Sequence, residues 1–125
     1  MGDRITFQPV DLLEDELPTG FDVALECDVG LHSAELLGKV RSALNPEGRL
    51  IIVDKFAPAE GLAPPSRVHW AFASSLANPD SAYPTVPETE EVLARAGYRL
   101  LGSHPLPLRE PMRWSEDWTV IEASR

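Results

Sequence analysis

An α/β domain with a mostly parallel sheet, closed by an antiparallel pair of C-terminal strands, is the fold class this sequence predicts. Three observations predict it. Phe21-Asp22-Val23-Ala24-Leu25 is an apolar run ending in the polar cluster Glu26-Cys27-Asp28, and a helical period of apolar residues follows at Leu36, Leu37, Val40 and Leu44. Asn45-Pro46-Glu47-Gly48 breaks that helix, and Arg49-Leu50-Ile51-Ile52-Val53-Asp54 then reads as a strand apolar on both faces, as in parallel sheets covered by helices. Residues 21–54 are therefore expected to form a right-handed βαβ crossover. Finally, the last two strand-like runs, residues 98–104 and 118–124, are joined without a helix, which makes them antiparallel neighbours.

The remaining elements follow in chain order. Residues 4–10, Arg-Ile-Thr-Phe-Gln-Pro-Val, alternate and are β-branched enough for a first strand, with Pro9 near its end. Residues 11–20 read as an acidic loop or a single helical turn. A linker rich in Pro, Gly and Ala covers residues 56–65. From Ser66 a helix stacks Val68, Phe72 and Leu76 at spacing four and stops at Asn78-Pro79-Asp80. Thr85-Val86-Pro87-Glu88 has the form of a capping box. Its helix turns Val92, Leu93 and Ala96 inward and ends at Gly97, a C′ glycine. Residues 105–114 read as a polar, hairpin-like connection.

At 125 residues the chain has the length of one domain, and 43% hydrophobic with 25% charged residues suits a globular core. A net charge of -9, with lysine only at Lys39 and Lys55, argues against a nucleic-acid or anionic-membrane partner. The single cysteine, Cys27, excludes an intrachain disulfide. No apolar run approaches the ~20 residues of a membrane span, and no signal-peptide core is present. Met1-Gly2 with Thr6 formally fits myristoylation, but Asp3 and the strand-like run make it a poor candidate. The expected location is cytoplasmic.

Three segments resemble the C-terminal half of a class I S-adenosylmethionine-dependent methyltransferase, of the small-molecule O-methyltransferase branch. Residues 4–12, ending Val10-Asp11-Leu12, resemble the family's third strand and its acidic adenine-side motif. Residues 44–54, Leu-Asn-Pro-Glu-Gly-Arg-Leu-Ile-Ile-Val-Asp, resemble its L-x-P-G-G-R-L turn and fifth strand. Residues 83–98, ending Leu93-Ala94-Arg95-Ala96-Gly97-Tyr98, resemble the helix before its final strand pair, and residues 71–79, Ala-Phe-Ala-Ser-Ser-Leu-Ala-Asn-Pro, favour the O-methyltransferase branch. The resemblance implies a partial Rossmann-like methyltransferase sheet. In the family order 3-2-1-4-5-7-6, this chain would hold strands 3, 4, 5, 6 and 7. Strand 3 would then lie roughly 14 Å from strand 4, at ~4.8 Å per spacing. Either it re-pairs beside strand 4 or a second molecule supplies the pairing, so a homodimer or partner chain is expected.

The chain departs from the family in four respects. It shows no glycine-rich cofactor loop and no acidic residue ending a second strand, and these 125 residues are expected to lack the family's N-terminal dimerisation domain. The His-Asp-Trp triplet is replaced by Leu31-His32-Ser33, displaced by about one position.

By resemblance His32 is the candidate general base, at the carboxyl edge where ligands collect; the alternative is an exposed residue at the start of the following helix. Asp11 and Leu12 would contact adenine, or form an ordinary acidic loop. Glu26, Cys27 and Asp28 would open beside the methionine portion of S-adenosylmethionine, or form a polar loop with Cys27 as a small buried side chain. Trp70 and Phe72 could line an acceptor pocket, though at helical spacing core or interface is the commoner use. Trp114 and Trp118 are expected to cover the sheet edge. His69 and His104 lack partners at metal-ligand spacing, so no metal is expected.

The leading expectation is an incomplete O-methyltransferase catalytic domain that acts on a small-molecule hydroxyl and binds S-adenosylmethionine only if the missing half is supplied. The alternative is a non-catalytic remnant serving as an interaction or dimerisation module. A phosphoacceptor receiver domain, suggested by Asp54 ending a buried strand, lacks the later lysine that chemistry needs.

Overall fold

The computed structural model describes residues 4–61, 65–77, 83–106 and 118–125. The expected crossover forms as β1 (Phe21–Cys27), α1 (Ala34–Ala43) and β2 (Leu44–Lys55). β1 and β2 are parallel, with Val23 opposite Arg49 and Cys27 opposite Val53. Ser33 caps α1, its hydroxyl accepting the Leu36 N–H at 3.2 Å, which satisfies one of the donors every helix start leaves open. Leu36, Leu37, Val40 and Ala43 are the buried residues of α1.

The break after α1 is a tight loop-out inside the β2 register. Phe21 pairs Leu44, and the next pair is already Val23 with Arg49. Gly48 has no room for a side chain, since a Cβ there would stand 2.8 Å from the Asn45 carbonyl oxygen. Asn45 Nδ2 donates to Asp22 Oδ1 at 2.8 Å and to the Gly20 carbonyl at 3.3 Å, tying this turn to the start of β1.

The chain continues through α2 (Pro65–Ala77), α3 (Val86–Arg95), β3 (Arg99–Pro105) and β4 (Trp118–Ser124). The sheet order is β1-β2-β4-β3, and β4 is antiparallel to both of its neighbours. Three strands therefore share one direction and β4 alone opposes it, the 4-5-7-6 end of the expected sheet. The capping box of α3 is present: Thr85 Oγ1 accepts the Glu88 N–H at 3.3 Å, and Glu88 Oε2 accepts the Thr85 N–H at 2.8 Å. Gly97 has a φ of 89°, a left-handed value that a side chain tolerates poorly. Arg41 of α1 donates to its carbonyl at 3.2 Å, and the Tyr98 hydroxyl donates to the Leu37 carbonyl at 3.0 Å. These contacts join α1 to the end of α3 over a core of Leu36, Leu37, Leu50, Ile52, Leu93 and Ile121. Each such side chain contributes about 1.5–3 kcal/mol on burial.

Three expectations are corrected. Residues 4–10 form no strand, and Ile5 and Phe7 are exposed. An alternating pattern is stable as a strand only with a ladder to join and a face to cover, and Pro9 removes a donor. The possibility that this segment re-pairs beside β1 is thereby ruled out in this structure. In α2, Phe72 and Leu76 are 62% and 69% exposed, so the apolar stack on that helix does not face the core. Trp118 opens the interior strand β4 opposite Lys55, rather than covering a sheet edge. Lys55 Nζ lies 5.2 Å from the centroid of the Trp118 ring and 5.6 Å from that of Trp70, within cation–π range. Trp114, the helix stop at Asn78-Pro79-Asp80 and most of the connection after Pro105 lie outside the described residues. No helix among the described residues is long and apolar enough to cross a membrane.

Candidate functional site

The parallel pairing of β1 and β2 brings two carboxylates to the carboxyl ends of adjacent strands. Glu26 is the penultimate residue of β1, and Asp54 is the penultimate residue of β2. The segment between β1 and α1 then carries an imidazole back between them. Asp28 turns the chain with a φ of 55°, and its N–H still donates to the Val53 carbonyl at 2.9 Å, extending the ladder by one residue. Gly30, at a φ of 67°, makes the second turn and donates its N–H to Asp54 Oδ2 at 2.8 Å. A short loop with two left-handed residues delivers His32 immediately before the Ser33 cap.

His32 is held at both ring nitrogens. Nδ1 lies 3.3 Å from Glu26 Oε2, and Nε2 lies 3.1 Å from Asp54 Oδ2. The His32, Glu26 and Asp54 side chains are 2%, 9% and 1% exposed. Phe56 stacks on the imidazole with ring centroids 5.7 Å apart. Burial by itself pushes the imidazole pKa down, but the hydrogen bonds to Asp54 and Glu26, and their charges, overcome it and raise the value to about 9. Burial likewise pushes the Asp54 carboxyl up. Its hydrogen bonds with His32 and with the Gly30 and Lys55 N–H groups outweigh that and hold it below the usual carboxylate range. At neutral pH the cluster is an imidazolium between two carboxylates. Both nitrogens then donate, and neither has a lone pair available for a proton.

The other residues singled out from the sequence do not join this cluster. Cys27 is exposed at the end of β1 rather than a small buried side chain. Asp28 shapes the loop and is exposed. Asp11 Oδ1 accepts the N–H groups of Leu13 and Glu14 at 2.9 and 3.2 Å, so its carboxylate caps its own turn. Lys39 fastens that turn to α1 by donating to the Leu13 carbonyl at 2.5 Å. Leu12 lines an apolar cleft along β1. Trp70 packs on Tyr83 with ring centroids 4.0 Å apart, and Phe72 faces outward. His32 is buried, not an exposed start of a helix.

Sequence reasoning missed Asp54 and Phe56 as partners of His32, and Gly30 as the residue that locks the loop to Asp54. A carboxylate ending a buried strand was a visible signal for Asp54. Nothing local pairs it with a histidine 22 residues away. No group of three or more His, Cys, Asp or Glu side chains among the described residues has metal-binding geometry.

No protein-family model matches the sequence, and no curated protein matches it either. Solved structures do. An O-methyltransferase family protein from Burkholderia thailandensis superposes with a TM-score of 0.77 at 17% identity, over 99% of this chain and 36% of that one. The mitomycin 7-O-methyltransferase MmcR gives 0.76 at 24% identity, over 98% and 34%. An O-methyltransferase family 2 protein from Planctomyces limnophilus, in complex with apigenin, gives 0.72 at 20% identity, over 92% and 33%. The chain thus spans about a third of the length of the structures it matches. It has the fold of the C-terminal part of a class I O-methyltransferase.

Proposed function

We propose that this chain forms one wall of a small-molecule O-methyltransferase site and is inactive until a complementary part of the fold is added. The placement of His32 carries the proposal: a buried histidine at the carboxyl edge of the two parallel strands, where ligands of α/β sheets collect. Methyl transfer to a hydroxyl requires alignment, exclusion of water and a destination for the hydroxyl proton. S-adenosylmethionine would supply the electrophilic methyl group, but the described residues do not fit it by themselves. Asp11 spends its carboxylate on its own turn, Cys27 and Asp28 face solvent, and no glycine-rich loop occurs in the sequence.

What this chain's residues do can be stated without the cofactor. Asp54, fixed by two backbone N–H groups, orients the imidazole through Nε2. Glu26 holds Nδ1 by the longer of the two contacts. For His32 to accept a substrate proton it must first lose one, and one of those contacts must open. Glu26 is the contact to yield, because Asp54 is anchored and Glu26 Oε1 has no hydrogen-bond partner among the described residues.

Calorimetric titration with S-adenosylmethionine and S-adenosylhomocysteine tests the proposal. The chain alone is expected to give neither heat nor a thermal shift at millimolar cofactor. Tight binding by the isolated chain would reject the half-site reading. Methyl transfer that appears only when a methyltransferase N-terminal half is co-expressed, and that is lost in His32→Gln, would support it. A non-catalytic remnant predicts no activity in either case.

A further inference from the structure

At the end of the sheet away from His32, strand pairing gathers positive charge. Arg49 of β2 and Arg99 of β3 both lie opposite Ser124 of β4. Residues directly opposite one another share a face of the sheet, about 5 Å apart at Cβ, so the two arginines flank the Ser124 hydroxyl. With Arg125 they line a pocket of about 210 Å³ whose wall also includes Leu101 and the Pro46-Glu47 loop-out. Arg49 stands five residues before Asp54 in β2, roughly 17 Å along the strand, so this pocket is not part of the His32 cluster. Only two of the 11 basic residues are lysines, and three of the nine arginines meet here.

The protein does not neutralise these groups itself. No carboxylate among the described residues lies within ion-pair distance of Arg49, Arg99 or Arg125, and Glu47 is the one acidic residue in the lining. Arg125 belongs to the frame: its N–H donates to the Gly48 carbonyl at 3.0 Å, and its guanidinium donates to the Leu44 carbonyl. Arg99 Nε donates to Ser124 Oγ at 3.2 Å, which leaves the two terminal amino groups of Arg99 uncommitted among the described residues. The Ser124 hydroxyl hydrogen makes only a long contact, 3.5 Å, to the Arg99 carbonyl, so it can turn to a better acceptor. Like charges held together without a counter-charge repel, and an anion in the pocket removes that cost.

We propose that this pocket binds the phosphate group of a small molecule, a tetrahedral dianion gripped by the guanidinium forks of Arg49 and Arg99 and by the Ser124 hydroxyl. Planar guanidinium forks match phosphate oxygens two at a time. The pocket is smaller than the about 300–1,000 Å³ that take a whole drug-sized ligand, so it holds a charged headgroup and leaves the rest of the molecule outside. The net charge of -9 selects a small ligand over a nucleic acid: a long polyanion meets repulsion everywhere beyond the pocket, whereas one phosphate group meets only the arginines. The inference does not depend on methyl transfer or cofactor binding, so it can fail or hold separately from the proposed activity.

The test titrates inorganic phosphate and phenyl phosphate into the full chain at about pH 7.5, where the phosphate group is dianionic. Sodium chloride at matched ionic strength is the control, and amide and arginine Nε–H resonances are the readout. Saturable shifts are expected at Arg49, Arg99 and Ser124, with a dissociation constant of about 1 mM, the worth of two charge-assisted contacts. Tighter binding of phenyl phosphate assigns an esterified headgroup, and tighter binding of inorganic phosphate assigns the free ion; either supports the site. Arg49→Gln and Arg99→Gln, both at exposed positions, should each weaken binding about tenfold without a change in circular dichroism. Should one of them fold poorly, the other carries the comparison. Glu47→Gln should tighten binding about two- to threefold by removing the opposing charge. No saturable shift with either phosphate, an equal response to chloride, or unchanged affinity in both arginine variants overturns the inference. So does a Glu47→Gln variant that loses stability and gains no affinity, since Glu47 would then be the anion these arginines serve.

Discussion

His32 shows how burial and pairing compete on a single side chain. Taken out of water, an imidazole should be neutral; placed 3.3 and 3.1 Å from two carboxylates, it stays charged. Breaking one arm of such a buried arrangement costs more than forming it gains, because it strands a charge. The pH dependence follows from the direction of the shift. The folded-state pKa of about 9 lies above the ordinary imidazole value of 6.5. The stabilisation is therefore fully present below pH 6.5 and disappears as pH rises through 9. A shift of that size corresponds to about 3 kcal/mol. Asp54 sets the acid limit, since its lowered pKa means a contribution that is lost only as pH falls below the ordinary carboxylate value. Urea denaturation at pH 6.5 and 9.5 should show a loss of about 2–3 kcal/mol in the native chain. In His32→Gln that difference should largely vanish, although the variant starts from a lower stability. Identical pH slopes in the two proteins would rule out a charged, buried His32.

Among the elements, α3 depends most on chemistry within a few residues. Thr85 and Glu88 close the capping box reciprocally, and Gly97 ends the helix beneath Arg41. Thr85→Ala should cost about 1 kcal/mol, measured as a drop in the midpoint of denaturation at unchanged slope. A loss below about 0.3 kcal/mol, small against the usual worth of a cap, would mean that packing through Leu93 holds the helix without its cap. The same locality explains which parts of the fold were legible in the sequence. Caps, the Asn45–Gly48 break and the apolar stripe of α1 are written in neighbours three or four positions apart. The sheet order was not legible from periodicity; it came from resemblance to a family. Residues 4–10 misled because alternation records the ability to be a strand, whereas a ladder depends on what lies alongside. For the site, His32 and Glu26 were both singled out, but not that they touch. Asp54 stayed outside the expected set because its contact with His32 is made by the pairing of β1 with β2, not by spacing along the chain.

At the scale of the whole molecule, protection is unevenly distributed. β2 and β4 are flanked on both edges, and Leu50, Ile52 and Ile121 are completely buried beneath α1 and α3. Among the described residues β1 has one paired edge, and it carries three exposed apolar residues, while α2 turns Phe72 and Leu76 to solvent. Native-state amide exchange should therefore order the elements. Ile52 and Ile121 should exchange only through global opening, whereas the amides of β1 that do not face β2, together with α2, should exchange through local fluctuations of lower free energy. The gradient tests the architecture more strictly than a melting temperature does, because a cooperative melt averages over it. The same experiment run across a hundredfold dilution series distinguishes a free edge from a covered one. If β1 is bare, its exchange rates are independent of protein concentration. If another copy covers it, protection rises with concentration toward the level of β2, and the sheet would be completed by self-association.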